Sequence, residues 1–122
     1  MIRSILLGSC LALSVVGAAS AQTPWVEIDD QIVVAPFALS ADAIGDMDVV
    51  DAAGKKIGEV EDVVGPSRNE ATAVVIDLDS TSGLLEADKD IVVPLAGVEL
   101  HGKTLRLLGD AATVRGYQIY QD

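Results

Sequence analysis

Three acidic residues at alternate positions, Glu86, Asp88 and Asp90, come closest to metal-ligand spacing in this chain. Such carboxylates open an EF-hand calcium loop, which also requires glycine at its sixth position and glutamate at its twelfth. Counted from Glu86, those positions hold Ile91 and Gly97, so the EF-hand pattern fails. What remains is a carboxylate-rich loop that either binds a divalent cation loosely or is simply solvated. Asp29-Asp30 and the group Glu59, Glu61, Asp62 raise the same two alternatives. His101, the only histidine, sits beside Gly102 with no second ligand at metal spacing. Paired carboxylates can hydrolyse glycosides, but only from an enclosed cleft with a defined separation. A Gly-x-Ser-x-Gly elbow and a phosphate-binding glycine loop are both missing. The expectation is a protein that is not an enzyme, with no catalytic residue and no cofactor.

The start of the chain bounds where any chemistry could happen. Arg3 precedes an apolar run from Ile5 to Gly17, and Ala19-Ser20-Ala21 supplies the small-x-small pattern that signal peptidases cut. Residues 1–21 therefore read as a cleavable secretory signal, cut between Ala21 and Gln22. The run is shorter than the roughly 20 apolar residues of a membrane-spanning helix, so no transmembrane anchor is expected after cleavage. Cys10, the only cysteine, leaves with the signal, which removes disulfides and thiolate chemistry from the remainder. The expected location is the periplasm, with secretion as the alternative.

Charge narrows the partners. Losing Arg3 moves the formal net charge from −11 to −12, and the remaining basic residues are scattered. A nucleic-acid or anionic-lipid surface would need a basic face, so nucleic acid is excluded as a partner.

From Gln22 to Asp122 the chain is long enough for one core and too short for two domains. Val26-Glu27-Ile28-Asp29 alternates and Ile32 to Ala35 follows a turn at Asp30-Gln31, which reads as a strand or hairpin added at residues 22–38. Ser40 can cap a helical turn that Gly45 ends. Met47 to Val50 and Ile57 to Val64 form a hairpin across Asp51-Ala52-Ala53-Gly54. Ile57, Val60, Val63 and Val64 break strict alternation, which predicts a bulge near Gly58. Ala71 to Leu78 is apolar on both faces, as in a covered central strand. Ile91 to Val93 ends at Pro94, and Val98 to Leu100 pairs with Thr104 to Leu108 across His101-Gly102-Lys103. At residues 109–122, Asp110 caps a last helical turn and the tail lies back on the body. About six short strands with one or two helical turns make the class all-β, as a small closed or partly closed barrel.

Ile44-Gly45, the hairpin with Asp51, Gly54, Ile57-Gly58, Val60 and Glu61-Asp62, Ala73 to Asp77, and Asp90 to Leu95 with Pro94 form one pattern. On these residues the stretch 39–108 resembles the PRC-barrel domain family. The resemblance implies a small barrel of adaptor or interaction type and no shared catalytic set. Gly45, Asp51, Gly54, Gly58, Asp62 and Pro94 are its fold-making residues. The loop Asp79 to Glu86 carries one glycine where many members have several.

Trp25, Phe37, Tyr117 and Tyr120 are the only aromatics and all lie in the flanks. They either pack the flanks onto the barrel or form an exposed interaction patch. Three functions follow as expectations. The first is an exported adaptor that binds another protein or envelope component, or a second copy as a homodimer. The others are a small acidic cation- or ligand-binding protein and, furthest from the residues, a two-carboxylate hydrolase.

Overall fold

β-branched and apolar residues at sheet spacing set the architecture of the computed structural model, which describes residues 25–84 and 88–120. The elements are β1 (Val26–Glu27), β2 (Val33–Val34), β3 (Leu39–Ser40), α1 (Ala41–Ile44), β4 (Asp48–Val50) and β5 (Lys56–Gly65). They continue with β6 (Ala73–Leu78), β7 (Lys89–Pro94), β8 (Val98–His101), β9 (Thr104–Leu107), α2 (Ala111–Arg115) and β10 (Gln118–Ile119). The expected signal and the bond between Ala21 and Gln22 lie outside the described residues.

The main sheet runs β10-β7-β6-β5-β4-β9-β8, with β1 added on β5 and a separate β2-β3 pair. All pairings on that path are antiparallel except β4 with β9. Strands β4 to β9 all send side chains into one core, including Val49, Ile57, Val74, Ile91, Val98 and Leu105. The sheet must therefore curl around that core. Among the described residues β8 and β10 end the path without pairing each other, so it is a barrel-like open sheet and not a closed barrel. The all-β class holds.

Ten strands form among the described residues: β4 to β9 are the six expected of the barrel, and β1, β2, β3 and β10 are two-residue pieces around them. Of the two readings of residues 22–38, the strand added to the main body forms and the β1–β2 hairpin does not. β1 pairs with β5 through Val26↔Gly65 and Glu27↔Val64, while β2 pairs with β3. The turn at Asp29 is present, with Ile32 N–H donating to the Asp29 carbonyl at 3.0 Å. It sends the chain to a different neighbour instead of back on itself.

The β4–β5 hairpin forms as its residues dictate. Asp51 Oδ1 accepts from the amides of Ala53 and Lys55, each at 2.9 Å, and Gly54 takes φ +86°. Opposite β4 the register moves from Val49↔Gly58 to Val50↔Lys56, leaving Ile57 as the extra residue of the expected bulge. A second bulge, unforeseen, sits against β6: Val60 pairs Ile76, Asp62 pairs Val75, and Glu61 is extra. Because side chains alternate along a strand, each extra residue flips the phase. That is how Ile57, Val60 and Val63 all reach the main core at odd spacings.

Strand β6 is covered on both faces. Val74, Ile76 and Leu78 enter the main core, while Ala73 and Val75 join Val64 and Val92 in a second cluster on the outer face. Each buried Val, Ile or Leu contributes about 1.5–3 kcal/mol. Both helical turns are capped as expected: Ser40 Oγ accepts from Ala43 N–H at 3.2 Å, and Asp110 Oδ1 from Thr113 N–H at 3.0 Å.

Candidate functional site

The second bulge decides where carboxylates meet. Asp77 and Asp90 are direct partners across β6 and β7, and Glu61 is the extra residue of the neighbouring strand. One carboxylate oxygen from each of Glu61, Asp77 and Asp90 lies within 4.8 Å of the other two. Glu61 is exposed and the two aspartates are half-buried. Three hard oxygen donors are a partial set for calcium, which takes 6–8, so solvent would supply the rest. Exposed acidic groups also gather in this way without an ion.

This grouping shares only Asp90 with the set drawn from spacing. Asp88 precedes β7, and its Oδ1 accepts the Ser80 amide, a bond of 2.6 Å. That backbone bond, with the Ser80 hydroxyl, holds the Asp88 carboxyl below its ordinary range. Asp90 is inside the ladder and faces β6. Glu86 lies outside the described residues. Alternation at i and i+2 predicts neighbours only within one extended segment, and here the strand starts between Asp88 and Asp90.

A larger acidic feature lies beside this group. Glu27, Asp30, Asp42, Asp46, Glu61 and Asp62 line a cleft of about 170 Å³, together with Ile28, Ala41, Gly45 and Val63. Its walls are positioned by backbone bonds, from Ile28 N–H to the Val63 carbonyl at 3.0 Å and from Asp42 N–H to the Asp30 carbonyl at 3.1 Å. No basic side chain lines it, so it concentrates negative potential and attracts cationic groups. Asp42 and Asp46 had no signal in sequence spacing, since α1 brings them to β5 through tertiary structure alone.

Lys56, Arg68 and Arg106 pair with acids that do not line the cleft. Lys56 Nζ lies 3.0 Å from Glu59 Oε1 and 3.2 Å from Asp48 Oδ1, and these bonds, the one to Glu59 first, raise its pKa. Arg68 lies 3.9 Å from Asp29, and Arg106 lies 3.9 Å from Glu99. His101 ends β8 with an exposed side chain, its carbonyl accepting the Thr104 hydroxyl at 2.9 Å.

The four aromatics divide between two faces and form no single patch. Phe37 and Tyr117 pack against the main core, while Trp25 and Tyr120 pack against the outer cluster. All four are half-buried. Trp25 Nε1 donates to Gln118 Oε1 at 3.2 Å, and the Tyr120 amide donates to the Asp90 carbonyl at 2.8 Å. The remaining sequence-derived residues sit where fold demands them. Gly45 closes α1, with its amide on the Ala41 carbonyl at 2.9 Å, and Pro94 ends β7 opposite Ala73. Asp62 opposes Val75 and lines the acidic cleft.

Fold and surface together define a small β module with a solid apolar core and an acidic cleft. Residues 38–114 match the family model of the PRC-barrel domain, and the chain belongs to that family. It is thus a small β domain of the general interaction type. A search among curated proteins found no match. No helix among the described residues is long and apolar enough to cross a membrane.

Proposed function

We propose that this protein is a non-enzymatic interaction module of the cell envelope, periplasmic or secreted, that binds a cationic segment of another protein or envelope component. The carboxylate-lined cleft carries this reading: six acidic residues line it, with no basic residue among them. Long-range attraction there raises the on-rate of a positively charged partner and rejects a phosphate-rich one. The small-x-small site after an apolar run supports the location.

The test places a photo-cross-linking residue at Ala43, exposed on α1 beside the cleft, with Lys103 in the β8–β9 turn as the control position. The full-length chain is irradiated in cells of its source. A discrete adduct from position 43 but not 103, weakened by added salt and by Asp42→Asn with Asp46→Asn, is the expected result. Monomer alone at both positions overturns the reading, and an adduct of twice the chain's mass replaces the cationic partner with a homodimer.

One observation favours a second reading, cation binding, namely the meeting of Glu61, Asp77 and Asp90 oxygens within 4.8 Å. Calorimetric titration with calcium and magnesium separates the two. Heat that Asp77→Asn abolishes supports the second reading, and no heat with no rise in melting temperature retires it.

A further inference from the structure

Trp25 and Tyr120 approach the same face from opposite ends of the described chain. Both pack on Val64, Ala73, Val75 and Val92, the cluster on the outer side of β5, β6 and β7. Each is carried by a strand of only two residues, β1 on β5 and β10 on β7. So short a pairing is marginal by itself. The bond from Trp25 Nε1 to Gln118 Oε1, 3.2 Å across 93 residues of sequence, links the two directly. Both strands also lie outside the family-matched residues 38–114, so this cover is an addition to the family domain.

We propose that the two flanks form one latch over this apolar face, closing and opening as a unit. Coupling follows from shared burial. Both aromatic rings pack on the same four-residue cluster, so removing one exposes apolar surface next to the other. The hydrogen bond adds a term that exists only when both flanks are in place. Opened, the latch uncovers Val64, Ala73, Val75 and Val92, none of which belongs to the main core, and loosens that core only at its edge, at Ile28. Partial opening of this kind takes less free energy than global unfolding and exposes a localised surface.

The experiment perturbs one flank and reads the other in the full-length chain. Trp25 is the only tryptophan, so its fluorescence reports the N-terminal flank without ambiguity. In Tyr120→Ala, acrylamide quenching of Trp25 should rise about twofold, exchange of the Ile28 amide should quicken about tenfold, and the dye ANS should bind. In Trp25→Ala, the Tyr120 amide should exchange faster by a similar factor. Amides of the β4–β9 pairing should keep their protection in both. Unchanged Ile28 exchange and Trp25 quenching in Tyr120→Ala would mean independent flanks and overturn the proposal. If β4–β9 protection also falls, Gln118→Ala decides, since it cuts the bridge at an exposed position: faster Ile28 exchange upholds the latch and unchanged exchange refutes it.

Discussion

Gly58 and Gly54 occupy one hairpin yet must be glycine for different reasons, and substitution separates them. At Gly58 an added Cβ would run into the Asp77 carbonyl oxygen and lie 3.1 Å from Leu78 Cα and 3.2 Å from the Asp77 carbonyl carbon. All three are backbone atoms of β6, so no side chain can swing away. Relief requires moving β5 from β6 at the Gly58↔Leu78 end of their ladder. Overpacking of a tight site costs about 1–3 kcal/mol, and an unyielding backbone contact places Gly58→Ala at the top of that range. About 3 kcal/mol in a domain of this size lowers Tm by roughly 10–25 °C. At Gly54 an added Cβ meets nothing within 4 Å, but φ is +86°. The cost of Gly54→Ala is conformational, about 1 kcal/mol. Asparagine tolerates this backbone region, so Gly54→Asn should recover much of that loss, whereas Gly58→Asn should be no better than Gly58→Ala. Urea unfolding followed by Trp25 fluorescence and far-ultraviolet circular dichroism measures all four. If Gly58→Ala stays within about 0.5 kcal/mol of the parent, the close approach of β5 to β6 is not as described.

Three further outcomes are expected. Ser40→Ala removes the cap of α1 and should cost about 1 kcal/mol in urea unfolding, with faster exchange at the Ala43 amide. Leu105→Ala empties a fully buried site in the main core and should cost about 2–5 kcal/mol by the same assay. The Thr113 backbone amide, then its hydroxyl, hold the Asp110 carboxyl below its ordinary value of 3.8. A depressed folded-state pKa gives stabilisation that is complete above the unfolded value and lost as pH falls through the folded one. A nuclear magnetic resonance titration should therefore place Asp110 below 3.8, with α2 fraying only under stronger acid; a value at or above 3.8 contradicts the cap.

Local chemistry made much of the fold legible. Asp51 and Gly54 announced a turn, the spacing of Ile57 and Val60 announced a bulge, and Val74 to Leu78 announced a strand covered on both faces. Ser40 and Asp110 announced their caps. What stayed hidden depended on neighbours distant in sequence. Val26–Glu27 and Val33–Val34 left an added strand and a hairpin both open, because a turn lies between them and two residues cannot specify their own pairing. The bulge at Glu61 produces the same apolar spacing as the one at Ile57, so a single irregularity appeared sufficient. The carboxylate group escaped because Asp77 and Asp90 face each other across a strand boundary, while the deduced set joined Asp90 to Asp88 along the chain.

The parallel pairing of β4 with β9 carries a kinetic consequence. It joins Asp48 to Thr104, Val49 to Leu105 and Val50 to Arg106, enclosing β5 to β8 between the partners. The β4–β5 and β8–β9 hairpins each close over a short turn, whereas this ladder can form only after its long intervening loop has been drawn in, at an entropic cost that slows folding. Until β9 arrives, one edge of β4 presents unpaired amides and carbonyls, a surface on which nascent chains can associate wrongly. The rate-limiting event in reaching the native state should be the seating of β9, and slowing that step is where a folding defect in this protein would originate.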